Sequence, residues 1–78
     1  MFEKVRAIIA YQLNVEESEI TPDTTMEELG ADSLDMVDIV MSIEDEFDFS
    51  ISDEVFHTIK TAGDFAKAVE DIIANGEN

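Results

Sequence analysis

The sequence predicts an all-α fold: a small four-helix bundle with three main helices and one short helix. Three observations predict it. Apolar residues recur at helical spacing in three separated segments, near residues 2–13, 33–47 and 65–73. Two capping patterns, Thr25-Met26-Glu27-Glu28 and Thr61-Ala62-Gly63-Asp64, stand where helical turns would begin. No segment alternates apolar and polar residues as a half-buried strand does, and no repeat is present.

The first helix is expected from Phe2 to about Leu13. Phe2, Val5, Ile9 and Leu13 fall at helical spacing with Ile8 beside them, and Asn14 is a suitable end. A long connection follows, from Glu16 to Asp32, containing the only proline, Pro22. Val15 and Ile20 can anchor it to the core. A single helical turn is expected near Met26–Leu29 from the capping spacing of Thr25-Met26-Glu27-Glu28, ended by Gly30 at a positive φ. The central helix starts at Asp32 or Ser33, either of which can cap it, and reaches Phe47. Its Met36, Ile39, Val40, Ile43 and Phe47 form one apolar sector, the expected core face. Leu34, Val37 and Met41 form a second strip on the other side, among Asp38, Glu44 and Asp45. A helix that only packs in a core does not need this second strip. An exposed apolar strip rimmed by acids suits docking to basic protein surfaces.

After Phe47, Ile51 is expected to point inward, with Phe49 less clearly so. Asp53–Ile59 is a short helix whose apolar side is Val55, Phe56 and Ile59, with too few turns to be stable alone. The last helix opens at Thr61-Ala62-Gly63-Asp64, carries Phe65, Ala68, Val69 and Ile72 inward with Ile73 at the edge, and leaves Gly76 and Asn78 in a frayed tail.

Charge narrows the function. Twenty acidic side chains face four Lys and Arg, a formal net charge of −16, in a chain of 78 residues expected to form one domain over 1–78. Phosphate backbones would repel it, which argues against nucleic acid, while basic protein surfaces would attract it. With 45% hydrophobic residues in periodic order, disorder does not fit. The chain has no cysteine. The opening Met-Phe-Glu-Lys-Val-Arg lacks the apolar run of a signal peptide, and no stretch is long enough to span a membrane. The simplest expectation is a cytoplasmic protein.

Ser33 carries the first chemical question. Serine at a helix start is most often a cap. The same position is exposed, follows the small residues Gly30 and Ala31, and tolerates an anion. From position alone both readings stand. As a nucleophile Ser33 would need a base, and the only histidine, His57, is on the short helix; there is no Gly-x-Ser-x-Gly elbow. No metal site is expected. An EF-hand loop begun at Asp48 has Asp53 where glycine is required and Ile59 at its twelfth position. The acids Asp45, Glu46, Asp48 and Asp53 amount to a weak attractor for divalent ions, and one histidine makes no zinc site.

Gly30-Ala31-Asp32-Ser33-Leu34-Asp35 resembles the attachment motif of acyl carrier proteins. The likeness extends from Ile8-Ile9 through the Asp-x-Val-x-Ile-Val-Met and Glu-Asp-Glu-Phe runs of the central helix to Ile72-Ile73. It implies a carrier that is itself no enzyme. Covalent 4′-phosphopantetheine from coenzyme A would sit on Ser33, flanked by Asp32 and Leu34, attached by a separate magnesium-dependent phosphopantetheinyl transferase. The terminal thiol of the arm would hold fatty acyl chains as thioesters, which explains how a thioester carrier can lack cysteine. The partners implied are that transferase and fatty acid synthesis enzymes with basic patches, meeting a monomer through Leu34, Asp35, Val37, Asp38, Met41 and Glu44. An acyl pocket is implied among Val40, Ile43, Phe47, Ile51, Phe56, Ile59 and Ile72. The chain departs from similar proteins at Phe56, where a small residue is usual, at Met36 in place of threonine and at Ser52 in place of proline. Phe56 either narrows the pocket or fills it. The rival readings are a carrier of a polyketide, aminoacyl or D-alanyl cargo, and an acidic adaptor or ion-binding domain in which Ser33 is only a cap.

Overall fold

The computed structural model describes residues 1–74, and the tail with Gly76 and Asn78 lies outside the described residues. Four helices follow in order: α1 Phe2–Leu13, α2 Ser33–Phe47, α3 Asp53–Phe56 and α4 Ala62–Ala74. No strand is present among the described residues, so the fold is the expected all-α bundle. α1 packs against both α2 and α4.

Helix ends follow local chemistry. Asn14 closes α1 in the left-handed conformation (φ 57°), its N–H donating to the Ala10 carbonyl. Asp48 does the same for α2 at φ 58°, donating to Glu44; Asn and Asp tolerate this region better than most residues. Gly30 has φ 81° and ends the turn that starts at Met26. That turn holds together through Leu29 N–H to Met26 O and Gly30 N–H to Glu27 O, both 3.0 Å, so it is a run of tight turns rather than a helix. Thr25 and Glu28 form a reciprocal pair at its start, Thr25 N–H to Glu28 Oε1 at 2.8 Å and Glu28 N–H to Thr25 Oγ1 at 3.0 Å.

The core is wholly apolar among the described residues. Val5, Ile9, Ile39, Ile43, Phe65 and Val69 are completely buried, with Ile20, Met26, Phe49, Ile59 and three alanines beside them. Each large side chain of this kind contributes about 1.5–3 kcal/mol of burial. That is what holds helices too short to persist alone in water.

The long connection is ordered because it is fastened to the start of α4. Met26 N–H donates to Lys60 O at 3.0 Å, Ala62 N–H to Thr24 O at 2.9 Å, and Gly63 N–H to Pro22 O at 3.0 Å. Thr25 and Thr61 thereby form an isolated antiparallel bridge. These bonds satisfy donors that the first turn of a helix leaves open. A Cβ on Gly63 would stand 2.7 Å from the Pro22 carbonyl oxygen, so the approach depends on glycine.

Four expectations need correction. The short helix ends at Phe56 rather than Ile59, and residues beyond it turn through Thr58 N–H to Val55 O. A 3-10 turn, Glu17–Glu19, interrupts the connection, closed by reciprocal bonds between Glu16 and Glu19. Phe49 is buried and Ile51 half-buried, the reverse of the emphasis expected. Phe49 turns inward to stack on Phe47, ring centres 6.1 Å apart. The core also takes Met26, Ala10 and Ala66, none of them singled out by periodicity.

Candidate functional site at the start of α2

Ser33 is the first residue of α2 and is exposed. Asp32, not Ser33, is the cap: its Oδ1 accepts from Asp35 N–H at 2.9 Å, and Asp35 Oδ2 accepts from Asp32 N–H at 3.2 Å. Both acids of the motif are thus committed to holding the helix start. The Ser33 hydroxyl makes no hydrogen bond to protein among the described residues and is left for other chemistry.

A groove of about 580 Å³ runs beside it. One wall is Ala31, Asp32, Ser33, Met36 and Val37 of the α2 start; the other is Phe56, His57, Ile59 and Lys60, with Glu27 at the rim. His57 therefore lines the same groove as Ser33. No hydrogen bond joins the two, so they are not a nucleophile–base pair as they stand.

The second strip of α2 is open to solvent. Leu34 is 74% exposed, Met41 60% and Val37 46%, while Ile39 and Ile43 on the other side of the helix are fully buried. Among the acids of this face, Asp38 is exposed and receives one long contact from Gln12 Nε2 at 3.4 Å. Glu44 stands apart. It is half-buried, and its Oε2 accepts from Ile51 N–H at 2.7 Å, pinning the connection after α2. The two ion pairs of the described residues, Arg6–Glu17 and Lys67–Asp71, leave the α2 acids unneutralised.

The seven residues expected around one acyl pocket fall in different places. Val40, Ile51 and Phe56 line a cavity of about 180 Å³ with Val37, Met41 and Asp53. Ile59 lines the Ser33 groove, and Ile72 a third depression with Val55 and Ala68. Ile43 faces the close-packed core, and Phe47 is half-buried against Phe49. Phe56 borders both the 180 Å³ cavity and the Ser33 groove. His57 and Lys60 are the groove residues that sequence reasoning missed as such, because the turn that carries them there is set by the Lys60–Met26 backbone contact. No three His, Asp or Glu side chains converge as a metal-binding group among the described residues, and no described helix is long and apolar enough to cross a membrane.

Carboxylates with shifted acidity lie outside this site. Backbone N–H donors of Lys60 and Thr61 hold the Asp64 carboxyl below its ordinary range, and Thr25 does so for Glu28.

A family model described as phosphopantetheine attachment site matches residues 3–69. The chain belongs to that family. A phosphopantetheine attachment domain bears a covalently bound 4′-phosphopantetheine prosthetic group. The α2 start of this attachment domain fits such a group: an exposed hydroxyl free of protein partners, a groove beside it, and open space at Gly30, where an added Cβ would meet nothing within 4 Å. Carrier domains of this family are generally not catalytic.

Proposed function

We propose that this chain is a cytoplasmic, monomeric acyl carrier of fatty acid synthesis, with Ser33 as its attachment residue. The observation that carries the reading is the division of labour at the α2 start. Asp32 and Asp35 cap the helix between them, so the serine is not needed as a cap and its hydroxyl faces solvent. Ser33 Oγ forms the new phosphorus–oxygen bond as the pyrophosphate bond of coenzyme A breaks. Its proton passes to a base of the transferase, and the nucleotide half departs. The chain supplies no such base itself. When bound, the arm supplies a thiol that holds acyl groups as thioesters, a function the cysteine-free polypeptide lacks.

Leu34, Val37 and Met41 supply contact area to the transferase and the synthesis enzymes. Asp38, with Asp35 and Glu44 at its sides, supplies steering toward basic patches. Glu44 serves in this only through the oxygen not engaged by Ile51. The cavity bounded by Val40, Ile51 and Phe56 is the place for the start of an acyl chain. The Gly-Ala-Asp-Ser-Leu-Asp context and the strong acidity favour a fatty acyl cargo over a polyketide, aminoacyl or D-alanyl one.

The test is the mass of the protein and of its Ser33 peptide after incubation with coenzyme A, magnesium and a broad-specificity phosphopantetheinyl transferase. A gain of one phosphopantetheine, abolished by Ser33→Ala, is expected. No gain on a chain shown to be helical overturns the reading in favour of an acidic adaptor. If the loaded protein is not extended by a dissociated fatty acid synthase fed malonyl groups, the cargo is of another class.

A further inference from the structure

The charge around Ser33 poses a problem. A phosphodiester there adds a negative charge to a chain already at −16, next to Asp32 and Asp35, in a groove whose rim includes Glu27. Like charges this close oppose one another. The chain has only four Lys and Arg to offset them. Arg6 is paired with Glu17 and Lys67 with Asp71, and Lys4 lies on α1. The fourth, Lys60, lines the same groove as Ser33 and makes no ion pair among the described residues. Its backbone N–H is tied to Asp64 Oδ2, which fixes where the side chain starts; the residue is exposed, and its charge contributes to holding the Asp64 carboxyl below its ordinary range without closing an ion pair. Next to it the groove is apolar, bounded by Phe56 and Ile59 on one side and Met36 and Val37 on the other.

Resting on the carrier reading, the geometry points to this groove as the resting place of the phosphate end of the arm, with Lys60 as its positioning residue. The ammonium group of Lys60 faces the phosphodiester, and Phe56 and Ile59 receive the branched dimethyl portion that follows it. Charge complementarity and the shared groove select this occupant. Lysine provides a point charge on a flexible stem, which suits a phosphate that must also leave with the arm.

The test uses the full chain loaded with phosphopantetheine, its modification first verified by mass. Nuclear Overhauser contacts from the two arm methyl groups to the Phe56 ring and Ile59 methyls are expected. The phosphorus-31 resonance should shift in Lys60→Gln and return toward its original position in Lys60→Arg. Circular dichroism should show all three proteins equally helical, since Lys60 is exposed and the hydrogen bonds it gives the fold come from its backbone. Absence of the methyl contacts, or a phosphorus resonance indifferent to Lys60→Gln in a loaded protein, overturns this inference and leaves the carrier reading intact. Failure to load Ser33 at all overturns both.

Discussion

α3 and the first turn of α4 are both short helical starts capped by a hydroxyl, yet they are held very differently. At α3, Ser52 Oγ accepts from Val55 N–H at 3.2 Å, and none of the four residues that follow is buried. At α4, Thr61 Oγ1 accepts from Asp64 N–H, and Asp64 Oδ2 accepts from both Thr61 and Lys60 N–H. Pro22 and Thr24 then satisfy two further donors, and Ala62, Phe65 and Ala66 are buried beneath. The same local signal thus yields a fixed element where a second segment and the core meet it, and a loosely held one where they do not. The Ser33 groove has one wall on α2 and a second that begins at Phe56 of the loosely held α3 and ends at Lys60, which the α4 junction fixes.

The largest expected effect tests that contrast directly. Phe65→Ala should cost about 3–5 kcal/mol of stability. Phe56→Ala removes the same atoms from a half-buried site and should cost about a third of that. Urea unfolding of the two variants decides it; equal losses would remove the distinction between the two helical starts. Next in size, Gly63→Ala should cost about 1–3 kcal/mol, because its new carbon meets the Pro22 carbonyl oxygen. Faster hydrogen exchange at Met26 and Ala62 would locate the damage at the junction; unchanged exchange there would mean that the junction is not what the variant disturbs.

The smallest effect depends on pH. The Asp64 carboxyl is held below its ordinary value near 3.8, so folding favours its ionised form. Its contribution is therefore complete above that value and is lost as pH falls through the lower, folded-state one. Asp64→Asn keeps an acceptor oxygen and loses only the charge, so it should cost about 0.3–1 kcal/mol at neutral pH, the scale of a carboxylate in the first turn of a helix. The gap from the parent protein should close under strongly acidic conditions. A gap that stayed constant in urea titrations at both extremes would show that the charge of Asp64 is not what fastens the turn.

Features set within a few residues were legible in the sequence. Asn14 and Gly30 mark helix and turn ends by their tolerance of positive φ, and both Thr-based capping patterns form reciprocal bonds. The exposed Leu34-Val37-Met41 strip follows from helical spacing alone. Features set by the path of the chain were not legible. Phe49 and Ile51 differ by two positions in an irregular connection, and only the stacking on Phe47 and the bond that Ile51 N–H donates to Glu44 decide which goes inward. Asp32 and Ser33 are both good caps, so the sequence could not say which one would be used. Nor could it place His57 and Lys60 beside Ser33, since that depends on a backbone contact to Met26, far away in the chain. The expected acyl pocket came from family likeness rather than from spacing, and its residues line several depressions of this structure.

The junction between the long connection and α4 also bears on which positions are free to vary. Its acceptors are the main-chain oxygens of Pro22 and Thr24, which almost any residue at those positions would offer equally well. The requirement that is hard to replace sits on the other side, where position 63 must carry no side chain. A lineage of this chain can therefore rewrite the surface of the connection widely while one hydrogen atom, the side chain of Gly63, keeps the two halves in register.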